Sequence, residues 1–315
     1  MLFDAQELNA VQQQAWDDYV AQFDPRITEA VLAYVEKLKD FSGDMVFNPW
    51  KDEDDAYDVH MAAIFRCQNF MAYLLPRIGR ANHMIVAEAV GYQGGRFTGI
   101  AITCERMLLD HHHAVSASAV APIQLWRTSN AESPNIAKGT QKDKGFNEPT
   151  DTVVWSAILE EGLNPYDTIL WNIFPFHPHK SKDPLTNRTP SDAELQVGWD
   201  YMKALLDLHQ HCAGLYQNGA SYPLNTINDA LNKTETLLGE NVDDASTTAG
   251  SDLANKKIAT NLPGTESNPI FAVGRKCAQV LEQFGVPALA LRHPANGGAT
   301  EYRRNFADAV NKTVK

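Results

Sequence analysis

Three side chains that can donate or accept hydrogen bonds stand at the ends of short apolar segments of the chain. Glu88, Asn172 and His293 each lie at or just after the end of such a segment. In an open parallel sheet, ligands bind outside the carboxyl ends of the strands. If these segments are strands of one sheet, a carboxylate, an amide and an imidazole converge on one edge.

Several other kinds of reactive site find little support in the sequence. The glycine-rich residues 91–99 contain neither Gly-x-Gly-x-x-Gly nor a Lys-Ser/Thr ending, so a nucleotide site is weakly indicated and a tight turn is the other interpretation. No Gly-x-Ser-x-Gly elbow occurs. His209 and His211 would lie on different sides of a helix, which favours solvated or capping histidines over a metal site.

The four cysteines match no zinc or iron–sulfur spacing, so we predict free, buried or half-buried thiols. The chain begins with no signal-peptide pattern and contains no apolar run of membrane-spanning length. We therefore expect a cytoplasmic protein with no membrane partner.

Four apolar runs without polar alternation predict strands buried on both faces of a parallel sheet. They cover residues 84–87, 168–173, 270–273 and 288–291. Between them, the capping-box sequence Ser191-Asp192-Ala193-Glu194 starts a helix that runs to about residue 209. Strands that alternate with helices predict an α/β fold with three layers, helices on both sides of a central parallel sheet.

The chain divides into an N-terminal helical extension and an α/β domain. Residues 1–80 predict helices packed on the core, one of them over residues 56–75. Residues 81–315 form the α/β domain. Within it, residues 213–268 are rich in Asn, Thr, Gly, Ala and Ser and predict a polar surface insertion, mostly loop, with a short helix at 226–238.

The net charge of −12 is unevenly distributed. Residues 1–60 carry 14 acids and 4 bases, and residues 213–268 carry 7 acids and 3 bases. Such acidity argues against a protein that coats nucleic acid or an anionic membrane through bulk charge. The rest of the chain has a net charge of +2, so it can still present a neutral-to-basic edge to one strand of a nucleic acid.

Three motifs in chain order resemble those of the uracil-DNA glycosylase superfamily, most closely its Gly-Glu-Ala-Pro-Gly branch and related bacterial glycosylase-like proteins. They are Glu88-Ala89-x-Gly91, Asn172 with the later Asn187-Arg188-Thr189-Pro190, and Arg292-His293-Pro294. Four further segments are similar to the bacterial group: Phe47-Asn48-Pro49, Arg66-x-x-Asn69, Glu148-Pro149-Thr150 and Val153-Val154-Trp155. The resemblance covers about residues 45–212 and 269–306.

The resemblance implies a four-stranded parallel sheet and an enzyme that flips a damaged nucleotide and hydrolyses the bond between base and deoxyribose, without a metal or cofactor. His293 would donate a hydrogen bond to the leaving base, and Asn172 would bind the base edge. Glu88 would lie near the base or the attacking water, and Asn187 would help to place that water. Donors around the base stabilise the negative charge that it acquires in the transition state.

The motifs depart from the pattern of one or another branch of the family at six positions, one of which is Ala101, which replaces a usual proline. Ala87 and Val90 replace a glycine and a proline, and Ala89 stands where the best-known branch carries a water-activating aspartate. Ile102 replaces an aromatic residue that would stack on the base, and Gly91 stands where another branch has a tyrosine that excludes the thymine methyl. We place Ala89, Gly91 and Ile102 in the base pocket and expect a wide base range or weak activity. The cysteines that bind an iron–sulfur cluster in the glutamate branch have no counterparts, so no cluster is expected.

The leading hypothesis is a monomeric DNA glycosylase for uracil or a related deaminated base, with DNA that contains the damaged base as its partner. Arg292, Arg303 and Arg304 could bind phosphates near the flipped nucleotide, although the last two could equally form an exposed helix face. Two alternatives stay open: a catalytically weak or inactive DNA-binding relative, and a nucleoside or nucleotide N-glycosyl hydrolase. Each catalytic candidate also has a structural interpretation, as a helix cap, a strand-end backbone contact or a satisfied loop histidine.

Overall fold

The structure, a computed structural model, describes residues 10–180, 183–239, 263–265 and 268–313. Within the predicted insertion, residues 240–262 lie outside the described residues, and so does the loop predicted there. The described strands are β1 Val46–Phe47, β2 His83–Ala89, β3 Thr168–Phe174, β4 His177–Pro178, β5 Ile270–Val273 and β6 Ala288–Leu291. The described α-helices are α1 Ala10–Val20, α2 Pro25–Lys39, α3 Ala62–Leu74, α4 Gly95–Thr98, α5 Glu105–Leu108, α6 Ala117–Val120, α7 Gly139–Lys144, α8 Pro149–Glu160, α9 Asp192–Gln217, α10 Leu224–Gly239, α11 Arg275–Gln283 and α12 Ala299–Thr313.

The central sheet contains the four predicted strands, all parallel, in the order β3-β2-β5-β6. The register pairs Asn172 of β3 with Ala87 of β2, so the carboxyl ends of these two strands are level. All seven residues of β3 are buried. Because successive side chains of a strand point to opposite faces, both faces of the sheet are covered. The predicted three-layer α/β/α fold is confirmed.

Strand β6 departs from the prediction that all four strands are buried on both faces. It lies at one edge of the sheet, where Leu291 is buried but Ala290 is exposed. An edge strand has a neighbouring strand on one side only, so its side chains stay buried only where a helix or loop covers that edge. The other edge strand, β3, is covered by contacts with helix α9.

Helix α9 is longer than its sequence pattern predicts. Its start is confirmed, because Ser191 and Glu194 form the expected capping box. Its end is not near residue 209, since Cys212 and Tyr216 continue the buried face of the helix. The helix ends before Gly219, which takes a φ of +87°. The helix predicted over residues 226–238 is observed as α10.

Helix α3 begins at Ala62 instead of near residue 56. The preceding residues form turns that bring the Asp58 carboxylate to two guanidinium groups. Asp58 accepts hydrogen bonds from Arg66 at 3.2 Å and from Arg96 at 2.6 Å, and all three residues are buried. Arg96 belongs to α4 in the glycine-rich segment 91–99, so this network attaches that segment to α3.

The N-terminal helices share one hydrophobic cluster with the sheet. The hydroxyl of Tyr19 in α1 donates to the carbonyl of Ala72 in α3, and the hydroxyl of Tyr34 in α2 donates to the carbonyl of Tyr201 in α9, both at 3.0 Å. The four cysteines are free and buried, as predicted. Among the described residues, none of the helices combines the length and apolar composition needed to cross a bilayer.

Replacing Asp58 with Asn should lower the free energy of unfolding by about 3–5 kcal/mol, because it leaves the buried Arg66 without its carboxylate and Arg96 with only Asp54, at 3.5 Å. Urea unfolding followed by circular dichroism measures the change. The control, Asp207→Asn, removes an exposed ion pair with Lys203 (2.9 Å) and should cost less than about 1 kcal/mol. Similar small effects of both substitutions would contradict this account of Asp58.

Candidate functional site

A cavity of about 360 Å³ lies at the carboxyl ends of the parallel strands. Its size falls in the range of pockets that hold small ligands. The structure brings together on this cavity every residue predicted for catalysis or for the base pocket: Glu88, Ala89, Gly91, Ile102, Asn172, Asn187 and His293.

Asn172 lies in β3 and is 2% exposed. Its side-chain oxygen Oδ1 has no hydrogen-bond partner among the described residues. A buried polar atom without a partner costs about 1–3 kcal/mol, so a native structure rarely keeps one without a ligand, water or ion. Asn172 Oδ1 therefore does not form the bond to strand-end backbone that the structural interpretation of this residue requires.

Glu88 lies in β2 and forms an ion pair with the helix that follows β5. Its Oε1 atom is 3.1 Å from the ammonium group of Lys276 in α11. The side chains are partly exposed, 29% for Glu88 and 42% for Lys276. The ion pair restrains the Glu88 carboxylate at the edge of the sheet where Asn172 also lies.

The imidazole of His293 is oriented by its own loop. The backbone N–H of Ala295 donates to Nδ1 of His293 at 3.1 Å. Burial, with a smaller contribution from Arg292, lowers the pKa of His293, so the neutral ring is favoured. Because Nδ1 accepts, the proton of the neutral ring resides on Nε2, which makes Nε2 the ring's hydrogen-bond donor.

Asn187 connects two loops that border the cavity. Its Oδ1 accepts a hydrogen bond from the backbone N–H of Tyr92 at 3.0 Å, which joins it to the glycine-rich segment. The neighbouring Arg188 binds both oxygens of Glu194 at 2.6 and 2.8 Å and holds the pKa of that carboxyl down, to about 2. Arg188 lines the cavity, but its guanidinium is engaged with the start of α9.

The predicted base-pocket residues line the cavity, but Gly91 does so for a reason that the sequence did not indicate. A Cβ added at Gly91 would collide with both carboxyl oxygens of Glu148. The space left by the missing side chain is thus occupied by that carboxyl group. Ile102 has a φ of +52°, unusual for a β-branched residue, and its carbonyl accepts from Trp155 Nε1 at 3.0 Å.

Two cavity residues, Glu148 and Asp151, were missing from the predicted site. Glu148 directly precedes α8, and Asp151 is its third residue. Burial raises the pKa of Glu148 to about 7, and burial together with the Glu148 charge raises the pKa of Asp151. A helix N-terminus favours carboxylate ions, but here burial outweighs it. The acid-Pro-x-acid pattern at 148–151 signals a helix start, and only the tertiary fold turns these acids towards the cavity.

The three arginines predicted to bind DNA do not line the cavity. Arg292 lies 3.7 Å from Glu301, and Arg303 lies 3.1 Å from Glu160 in α8. The ion pair of Arg303 with Glu160 agrees with the alternative in which Arg303 belongs to an exposed helix face. Arg304 is exposed on the same helix, α12.

The clustered histidines have structural contacts. His177 is buried, with its two ring nitrogens 3.0 Å from the carbonyl oxygens of Val90 and Pro184. His209 is buried and accepts the backbone N–H of Gly79 through Nδ1 at 3.0 Å, whereas His211 is exposed, as its helical spacing predicts. Within the described ranges, no group of three or more His, Cys, Asp or Glu residues could hold a metal ion.

No protein-family model and no curated protein matches this chain. A solved structure with some likeness is titled "The crystal structure of WT Pedobacter heparinus SMUG2". The sequence identity is 15% and the TM-score is 0.44, and the match covers 91% of this chain and 97% of that chain. At this identity and score the likeness assigns neither a family nor an activity to this chain.

The raised pKa values of Glu148 and Asp151 should make stability depend on pH. Both carboxyls keep protons in the native state at pH values where the unfolded chain has lost them. The contribution of Glu148 to stability is therefore complete below its ordinary pKa of 4.5 and is lost as the pH rises through about 7. Relative to the wild type, Glu148→Gln should gain on the order of 1 kcal/mol between about pH 5 and about pH 8.

Urea unfolding at the two pH values tests this prediction. Buried histidines contribute equally to both proteins, so their effect cancels in the difference. Glu160→Gln, which changes an exposed acid at the other end of α8, should keep the wild-type pH dependence. An unchanged pH dependence in Glu148→Gln would show that Glu148 is not protonated in the native protein.

Proposed function

We propose that the protein is a DNA glycosylase that hydrolyses the N-glycosidic bond of uracil or a related deaminated base, a step of base excision repair. The observation that carries the proposal is the convergence of Glu88, Asn172, Asn187 and His293 on one cavity. The resemblance of their motifs to the uracil-DNA glycosylases suggests the reaction, and the cavity provides a place for a flipped base.

In the proposed reaction, the bond between C1′ of the sugar and the base nitrogen breaks, and its electron pair leaves with the base. The Nε2–H of His293 is suited to donate to the base oxygen on which negative charge develops. Since the ring is neutral, it stabilises this charge as a hydrogen-bond donor and not as a cation. The Asn172 amide is suited to bind the edge of the base.

The oxygen of a water molecule forms the new bond to C1′, and the proton of that water passes to an acceptor. Glu88 is suited to this role because it is a carboxylate at the cavity, restrained by Lys276. Asn187 is a weaker candidate, because its Oδ1 already accepts from Tyr92. With Ala89 at the aspartate position of the best-known branch, stabilisation of the leaving base carries most of the rate in this proposal.

The proposed partner is DNA that contains a damaged base, bound by a monomeric cytoplasmic protein that uses no metal or cofactor. Arg304 is the best placed of the three arginines to contact phosphate, because Arg292 and Arg303 lie near carboxylates. DNA affinity should therefore be weak and depend on few contacts.

An oligonucleotide panel with a single uracil, hypoxanthine, xanthine or mismatched thymine tests the function, with alkali cleavage of abasic sites as the readout. We expect base release that falls by about 100-fold or more in His293→Ala and Asn172→Ala, since the first removes a donor to the leaving base and the second removes the amide that binds the base edge. His211→Ala and Asn225→Ala are matched controls at exposed positions and should keep wild-type rates.

The panel also separates the alternatives. Binding to lesion-containing DNA with no abasic product from any oligonucleotide would reject hydrolysis and leave a DNA-binding relative. Release of a free base from nucleosides, but not from DNA, would indicate a nucleoside hydrolase.

The salt dependence of DNA affinity tests the phosphate contacts. Each contact contributes about −0.9 to the slope of log K against log salt, so Arg304→Ala should make the slope shallower by about 0.9. Arg26→Ala is the control, because Arg26 is held by Asp24 at 2.8 Å on α2. Fluorescence anisotropy at several salt concentrations gives the slope, and a wild-type slope near zero would contradict phosphate binding.

A further inference from the structure

Among the described residues, three buried oxygen atoms at the cavity have neither a hydrogen-bond partner nor an ion-pair partner. They are Oε2 of Glu148, Oδ2 of Asp151 and Oδ1 of Asn172. Asp151 and Asn172 are each 2% exposed, and all three residues line the cavity. Buried acceptors are normally satisfied, so the arrangement calls for a ligand that brings donors.

The two carboxyl groups are fixed neighbours. A Cβ at Gly94 would lie 2.5 Å from Oδ2 of Asp151 and 2.9 Å from Oε2 of Glu148, so both oxygens lie against the same glycine. Gly91 lies against the Glu148 carboxyl in the same way. The carboxyls are therefore held between the start of α8 and the glycine-rich segment, which Arg96 attaches to Asp58.

The chemistry of this group defines its ligand. Burial raises the pKa of both carboxyls and so favours their protonated forms, which can donate an O–H as well as accept a hydrogen bond. Together they accept one N–H and donate one O–H, which complements a ring N–H beside a carbonyl group. The third acceptor, Asn172 Oδ1, disfavours a second carbonyl on the other side of that N–H, because two acceptors would face each other.

We propose, on the basis of the proposed function, that Glu148, Asp151 and Asn172 select a base with one carbonyl group beside a ring N–H. Hypoxanthine, the deaminated form of adenine, has this pattern. In DNA, uracil has carbonyl groups on both sides of its single ring N–H, and xanthine has them on both sides of its N1–H, so both are disfavoured. The cavity of about 360 Å³ leaves room for a purine ring system.

Ligand-observed NMR titrations of free bases into the full chain test this selection without requiring catalysis. The probes are hypoxanthine, 1-methylhypoxanthine, 1-methyluracil and 3-methylxanthine, because the N1–H of free uracil and the N3–H of free xanthine would each lie beside a single carbonyl group. We expect hypoxanthine to bind about tenfold or more tightly than each of the others, since 1-methylhypoxanthine lacks the donor and the other two add a carbonyl. Glu148→Gln and Asp151→Asn should each abolish this preference, and the control Glu160→Gln should retain it.

Each outcome supports or overturns the inference. Binding of 1-methyluracil or 3-methylxanthine as tightly as hypoxanthine, equal binding of 1-methylhypoxanthine, or no binding of any base would overturn it. If one variant fails to fold, as checked by circular dichroism, the other variant and 1-methylhypoxanthine still test the selection. Hypoxanthine binding without base release from the oligonucleotide panel rejects hydrolysis but not the selection. Base release with uracil preferred supports hydrolysis and rejects the selection.

Discussion

The cavity depends on the ion pairs that the buried carboxylate of Asp58 forms with the guanidinium groups of Arg66 and Arg96. Arg66 belongs to α3 and Arg96 to the glycine-rich segment, so one carboxylate joins a core helix to a cavity wall. Both guanidiniums also lie over the ring of Phe47, 5.2 and 4.2 Å from its centroid. Charges removed from water are stable only when their partners are in place, and arginine does not escape by losing its proton. The position of the segment is therefore strongly specified.

Because these charges fix the position of the glycine-rich segment, the cavity can hold carboxyl groups in two different environments. Glu88 is partly exposed and has Lys276 as a counter-charge. Glu148 and Asp151 have no cation in contact among the described residues, and burial favours their protonated forms. Carboxyls kept apart in this way can take different tasks, one as a proton acceptor and the others in recognition of a base. The separation requires the glycines at positions 91 and 94, because a side chain there would displace the buried carboxyls.

Much of the fold could be predicted because its signals are local. The apolar runs of β2, β3 and β5 and the capping box of α9 depend on neighbouring residues and appear where the sequence predicts them. The predictions failed where distant contacts decide. Helix α3 starts only at Ala62 because the preceding turns place Asp58 against two arginines. Helix α9 continues past residue 209 because Tyr216 packs in the core. The low burial of β6 follows from its place at the edge, which the composition of a strand does not reveal.

The class of the fold and three strand-end residues of the cavity, Glu88, Asn172 and His293, could be predicted from the sequence, because parallel strands bring their carboxyl ends to one edge. The loop residue Asn187 was predicted from the resemblance of its motif. The tertiary structure alone decided which atoms of these residues are available. It assigned the proton of His293 to Nε2, engaged Oδ1 of Asn187 with a loop and left Oδ1 of Asn172 without a partner. It also brought Glu148 and Asp151 into the cavity. Hydrogen-bond partners and burial come from residues far apart in the chain, so no spacing along the sequence specifies them.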